Sequence, residues 1–254
     1  MNRSLLYLLL VTIIVSLSTA VASAQTSYIS IKSSSKMTDA VSRTEDTLRK
    51  QFEQKKLVWP PQEMYVRSFK YDRELEVWVK GDSKDAFKLF KTYRVCMQSG
   101  TIGPKRLEGD YQMPEGFYYI NEFNPNSNYH LALGINYPNA SDKMLSDVQH
   151  PGNDIYIHGG CVSTGCIAIS DKPIEELYVL ANYAKDNGQD FIAVHVFPVK
   201  YNVKKSFEYL AQATKANQPL QHFAVTLKAA YDYFEDKKQL PLIMVNKKGE
   251  YIVN

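Results

Sequence analysis

The stretch Ile157-His158-Gly159-Gly160-Cys161-Val162-Ser163-Thr164-Gly165-Cys166-Ile167-Ala168-Ile169 concentrates one histidine, two cysteines and three glycines between two apolar runs. A cysteine attacks as its thiolate, and a neighbouring imidazole can take the thiol proton and later return it to a leaving amine. Glycines let the chain turn tightly and let a substrate approach the backbone. The amides of Gly165 and Cys166 could face a carbonyl oxygen as it gains charge. The residues alone leave three readings open. One is Cys/His nucleophilic catalysis. The second is a metal site, since His158-x-x-Cys161 with Cys166 offers three borderline or soft ligands. The third is structural, with Cys161 and Cys166 bridging each other or Cys96. A metal site would want a fourth ligand or an open water position, and no second cluster advertises one. No metal or cofactor is therefore expected.

The elements that must carry this segment read as β-rich. Residues 64–69 and 75–79 alternate apolar and polar around Tyr71-Asp72-Arg73, the pattern of a hairpin. Phe87 to Met97 predicts a strand pair or one long strand, and 116–120, 130–133, 155–158 and 166–169 predict further short strands. Ahead of these, Met37 to Lys56 has helical spacing and is expected to stop at Pro60-Pro61. Behind them, Asp171-Lys172-Pro173 reads as a helix start, followed by a stripe of Ile174, Leu177, Leu180 and Ala181. A strand over 192–198, helices over 203–214 and 221–234, and a hairpin over 241–253 complete the chain. The fold class is mainly β with added helices, α+β.

The start of the chain reads as an export signal: Arg3, an apolar run from Leu5 to Val15 broken only by Thr12, and Ala22-Ser23-Ala24 as a cleavage site. Cleavage after Ala24 removes one positive charge, so the formal net charge falls from +3 to +2. That balance gives no case for nucleic acid, and no later stretch is apolar enough to span a membrane. The expected organisation is a signal peptide at 1–24, a linker and helix at 25–60, a catalytic domain at 61–200, and a helical and hairpin extension packed on it at 201–254. Three cysteines in an exported chain leave at least one thiol unpaired.

His158-Gly159 followed by Ser163-Thr164-Gly165-Cys166-Ile167 resembles the active-site signature of L,D-transpeptidases with the YkuD-type catalytic domain. The very short spacer and the second cysteine three residues after the histidine resemble the YafK-like branch. Glu74 to Val79, Ser99-Gly100 with Gly103-Pro104-Lys105, Gly109-Asp110 with Pro114 to Tyr118, Asn124 to Ser127 with His130-Leu131, Tyr137 to Ala140 and Tyr231 to Glu235 extend the resemblance from Met64 to Phe234. It implies a β-sandwich-like domain in which Cys166 is the nucleophile and His158 the general acid and base. Gly165 would supply oxyanion-hole backbone, and Ser163, Thr164, Gly159, Lys105 and His130 would contact substrate. The implied partners are peptidoglycan stem peptides in the periplasm. The implied reaction is acyl transfer at L,D-peptide bonds through a thioester, in cell-wall biogenesis and remodelling. The branch also implies hydrolysis that releases a wall-linked protein.

Two departures from the wider signature bear on this reading. Only four residues separate His158 from Ser163, and Thr164 and Ala168 stand where the wider family often has histidine and arginine. Losing that arginine removes a bidentate donor for a carboxylate or carbonyl, a charge that Lys105 or Arg106 would have to supply. Cys161 stands as the rival nucleophile or a disulfide partner, and Cys96 reads as a buried small hydrophobe. His195 reads as a core or edge residue, and His150 and His222 as surface. The competing function is a non-catalytic peptidoglycan-binding module.

Overall fold

Strand β1 (Glu63–Phe69) carries large apolar side chains on both faces: Met64 and Val66 enter one core, Tyr65 and Phe69 the cores opposite. A strand of that kind has to be covered on both sides. The computed structural model, which describes residues 34–254, shows how. The expected export signal lies outside the described residues. Strands β1, β2 (Glu74–Lys80), β3 (Lys88–Arg94), β4 (Gly116–Asn124), β5 (Ala132–Ile135), β6 (Tyr156–His158), β7 (Ile167–Ala168) and β8 (Ala193–Phe197) form one mixed sheet, ordered β3-β2-β1-β8-β4-β5-β6-β7. Pairing is parallel in β1–β8 and β6–β7 and antiparallel elsewhere.

Strand β4 joins the two halves. Its first residues pair with β8, its later ones with β5, and the register shifts between Ile120 and Glu122. Such an irregularity bends a strand and increases its twist. The α+β expectation holds, and its sandwich-like character takes the form of a single curled sheet. Helix α1 (Ser35–Gln54) presents Met37, Ala40, Thr44, Leu48 and Phe52, spaced three or four residues apart, to the core inside the curl. Short α2 (Ala140–Leu145) starts on a reciprocal capping box between Asn139 and Asp142. Helix α3 (Asp171–Asp186) packs against α1 and fills the same core through Ile174, Leu177, Tyr178 and Ala181. The opposite face is covered by α4 (Lys204–Thr214), α5 (Gln218–Lys237) and the hairpin of β9 (Ile243–Val245) and β10 (Tyr251–Val253).

Backbone conformation trims several expected elements. Helix α1 ends at Gln54, ahead of the prolines, because Lys56 turns left-handed (φ 54°). Strand β5 begins at Ala132 because His130 is also left-handed (φ 74°). The strand expected over 87–97 stops at Arg94, so Cys96 lies beyond β3. Helix α2 had no counterpart in the sequence reading.

Candidate active site

The segment singled out by its chemistry lies at the β7 edge of the curled sheet. His158 ends β6, opposite Ala132 of β5 and Ala168 of β7. The loop 159–166 then returns the chain to run parallel with β6. Parallel neighbours ordinarily need a crossover of a dozen or more residues, so this loop is tight and heavily tied. Asp171 Oδ1 accepts a hydrogen bond from the Gly160 amide at 2.7 Å, and Ser170 donates its amide to the Gly160 carbonyl at 3.1 Å. At Gly159 a Cβ would meet Asp171 Oδ1 at 2.6 Å and the Tyr129 carbonyl at 2.7 Å, so no side chain fits. Gly165 sits at φ 143°, a conformation closed to other residues.

The middle of the loop is held covalently. Cys161 is disulfide-bonded to Cys96, with Cα atoms 5.7 Å apart and a sequence separation of 65. This corrects two sequence expectations. Cys96 is not a packed free thiol, and Cys161 has no thiol with which to act as nucleophile. The bridge works because the chain beyond β3 lies along β7: the Cys96 amide donates to the Ala168 carbonyl at 2.9 Å, and Met97 bridges Ala168. Cys166 is the one free cysteine among the described residues.

Cys166 and His158 line the same cleft, about 330 Å³ in volume, together with Asn124, Asn126, Asn128, Tyr129, Asp154 and Tyr156. His158 is 2% exposed, and its Nδ1 is 2.5 Å from the Gly159 carbonyl oxygen. A carbonyl can only accept, so Nδ1 carries the proton and Nε2 keeps its lone pair. The ring of Tyr129 covers the imidazole at 4.8 Å between centroids. Burial pushes the His158 pKa below its ordinary value, and the Gly159 carbonyl opposes that. Burial pushes the Cys166 thiol up. The Tyr156 backbone amide and Lys105 favour the thiolate, whereas Asp154 works against it. Cys166 Sγ lies 3.7 Å from the Asp154 carbonyl oxygen. Both shifts favour the neutral forms, thiol for Cys166 and imidazole for His158.

The other expected site residues fall into two groups. Gly159, Ser163, Thr164 and Gly165 lie in the loop itself. Ser163 Oγ donates to the Cys166 carbonyl at 2.7 Å and accepts from the Gly165 amide at 3.2 Å. That amide, assigned above to an oxyanion hole, is engaged inside the loop. Lys105 and His130 are committed elsewhere. Lys105 is 4% exposed, its ammonium held by the Asp110 carboxylate and the Leu107 carbonyl. Arg106 pairs with Asp142 at 2.9 Å. His130 Nε2 meets Glu175 Oε1 at 2.7 Å, and Arg43 holds the same carboxylate.

Tyr129, Asp154 and Tyr156 were missed because nothing in their local spacing marks them. Asn124 and Asn126 stood in the sequence only as part of a resemblance. A larger groove of about 550 Å³, between the 102–112 loop, α2 and α5, contains neither Cys166 nor His158. Among the described residues, no three or more His, Cys, Asp or Glu are grouped to hold a metal ion. Nor is any described helix long and apolar enough to cross a membrane.

Residues 55–198 match the family model for the YkuD L,D-transpeptidase catalytic domain. YafK of Escherichia coli K12, named only provisionally as an L,D-transpeptidase, is 33% identical over 196 residues, which cover 75% of this chain and 74% of YafK. The O157:H7 form matches equally. Among solved structures, the helical cell shape determining protein Pgp2 of Campylobacter jejuni is similar at 21% identity and a TM-score of 0.43, covering 72% of this chain and 73% of Pgp2. Bd1075 of Bdellovibrio bacteriovorus is similar at 21% identity and a TM-score of 0.39, covering 71% of this chain and 62% of its own.

Proposed function

The chain belongs to the YkuD family of L,D-transpeptidase catalytic domains, and on that premise we propose that it is an exported, cell-wall-directed cysteine acyltransferase. Its substrates are the L,D-peptide bonds of peptidoglycan stem peptides. The observation that carries the reading is the pairing in one cleft of the free cysteine, Cys166, with a histidine whose Nδ1 is occupied by a backbone carbonyl.

In this mechanism His158 Nε2 takes the Cys166 proton as sulfur adds to the carbonyl of the L-centre. The new C–S bond places a negative charge on the carbonyl oxygen, and collapse of the tetrahedral intermediate breaks the C–N bond. The imidazolium gives its proton to the departing D-residue amine, leaving a thioester. An incoming amine or a water then loses its proton to His158 and attacks the thioester, so transpeptidation and hydrolysis share every residue and differ in the acceptor. The Cys96–Cys161 bridge and the Asp171 contacts hold the loop in which the nucleophile sits.

Incubating the protein with defined muropeptides and analysing products and protein by mass tests the reading. A thioester adduct on Cys166, together with a crosslinked or shortened muropeptide, is expected. Neither adduct nor product would leave a peptidoglycan-binding module as the function.

A further inference from the structure

The imidazole of His158 has no acidic partner. Among the described residues no carboxylate bonds or pairs with it, and its one hydrogen bond runs from Nδ1 to the Gly159 carbonyl. Taking a proton on Nε2 therefore places a positive charge on a ring that is 2% exposed and braced by a single neutral acceptor. A buried cation without a partner is costly, so whatever else meets the ring decides how readily it accepts a proton. Tyr129 meets it. The tyrosine ring is tilted 32° to the imidazole, with centroids 4.8 Å apart. Tyr129 also packs along the next two residues: its carbonyl oxygen lies 2.7 Å from where a Cβ on Gly159 would stand, and its Cδ1 3.8 Å from the same point on Gly160. At such a ring separation the electron-rich face of an aromatic side chain attracts a cation.

The loop that carries Tyr129 is pinned by α1. Lys36, in the first turn of that helix, donates to the Ser127 carbonyl at 3.3 Å and to the His130 carbonyl at 3.2 Å, on either side of Tyr129. Ser127 Oγ accepts from the Tyr129 amide at 3.0 Å. Lys36 falls outside residues 55–198, which match the catalytic domain. We propose that Tyr129 is a positioning residue for the general base, its ring face stabilising the imidazolium of His158, and that Lys36 holds it there. The inference rests on the acyltransferase reading above and adds to it a helix outside the matched domain. The other titratable groups around the imidazole are Cys166, Asp154 and Tyr156 in the cleft, Glu122 on the Tyr156 hydroxyl, Asp171 on the Gly160 amide, and His130 with its partner Glu175.

Titrating the His158 imidazole by NMR in the Cys166→Ala protein tests this without relying on turnover. Tyr129→Leu keeps apolar cover but removes the π face, and should lower the His158 pKa by about half a unit. Tyr129→Phe keeps the face and should keep the parent pKa. Lys36→Met should lower it by less. Combined with Tyr129→Leu it should lower it no further than Tyr129→Leu alone, because both act through one ring. With Cys166 intact, Tyr129→Leu should lower kcat about threefold with KM unchanged, and should move the acid limb of kcat/KM to lower pH. A His158 pKa unmoved by Tyr129→Leu, or lowered as far by Tyr129→Phe, would overturn the role of the ring. A loss confined to KM would overturn it too, making Tyr129 a substrate contact. Additive shifts from Lys36→Met and Tyr129→Leu would overturn the role of Lys36. Turnover by the unsubstituted enzyme beside an unmoved pKa removes this inference and leaves the acyltransferase reading. A lowered pKa without turnover supports the coupling of ring and imidazole and removes that reading.

Discussion

Two strand histidines of this molecule look alike by almost every local measure. His158 on β6 is 2% exposed and His195 on β8 is 4% exposed. Each lies against a tyrosine ring, Tyr129 at 4.8 Å and Tyr65 at 4.9 Å. Burial lowers the pKa of both. They differ in what their nitrogens face. His195 is in the middle of the sheet, with Phe117 at 4.8 Å and the Tyr65 hydroxyl on Nδ1 at 2.9 Å. His158 ends a three-residue strand and borders a cleft that also holds a thiol. A buried, depressed histidine is thus no mark of chemistry in itself. What the proposed mechanism requires is a free ring nitrogen on a cleft that also holds a free thiol, and His158 lies on such a cleft.

The largest effects should come from breaking the member of the pair proposed to be catalytic, together with its cysteine. Cys166→Ala should abolish muropeptide turnover without changing the far-ultraviolet circular dichroism spectrum. His158→Ala should lower kcat/KM by about a thousandfold, the scale of general acid–base catalysis. His195→Gln should instead leave kcat/KM within about threefold and lower stability by about 1–3 kcal/mol in urea unfolding, since it disturbs a buried hydrogen bond. Turnover that falls as far in His195→Gln as in His158→Ala would erase the functional difference between the two histidines.

The disulfide sharpens the comparison, because a covalent tie braces the loop beside His158 and nothing similar holds His195. Cys96→Ala with Cys161→Ala should lower stability by about 2–4 kcal/mol. It should also lower turnover, read against a reductant titration of the unsubstituted protein that converges on the same rate.

The pH dependences separate the two histidines further. His195 has a folded pKa of about 3 against an ordinary 6.5, so the unfolded chain takes up its proton first. That destabilises the fold as pH drops below about 6.5, by up to about 1.4 kcal/mol per pH unit for the one group. His158 adds in the same direction. Lowered carboxylates such as Glu76, Glu175 and Glu235 add their own loss only below about 4.5. Stability between pH 6.5 and 5 should therefore fall less steeply in His195→Gln than in the unsubstituted protein. The acid limb of kcat/KM, set by His158, should lie below pH 6.5 and be unmoved by His195→Gln.

The smallest effect is expected at the third strand-region histidine. His130→Asn should change turnover by no more than about twofold, because its ring is engaged by Glu175 and does not line the cleft. A larger loss would return His130 to substrate binding.

Much of this was legible along the chain. The alternation in 64–69 and 75–79 foretold the β1–β2 hairpin because side-chain direction in a strand depends only on parity. The stripe of Ile174, Leu177 and Ala181 foretold α3 for the corresponding helical reason. The boundaries were less legible: Lys56 and His130 adopt left-handed backbone, which a non-glycine residue type does not announce. Among the candidate site residues, the chemistry open to His158 and Cys166 could be read from their types, and the structure places both on one cleft. Their neighbours could not, since Tyr129 and Asp154 reach the cleft from separate loops.

The sequence by itself therefore determined which chemistry is available: a thiol, an imidazole and a glycine-rich turn within nine residues, and a family signature that selects Cys166. Only the tertiary structure decided how those groups are disposed. It paired Cys96 with Cys161 across 65 residues, gave the His158 Nδ1 to the Gly159 carbonyl, and drew Lys105 and Arg106 onto Asp110 and Asp142. The physical reason is that type and environment are set separately. Reactivity belongs to a side chain and travels with it, whereas disulfide pairing, burial and local field depend on the folded backbone geometry and on neighbours that range from the next residue, as at His158, to one 65 positions away, as at Cys96.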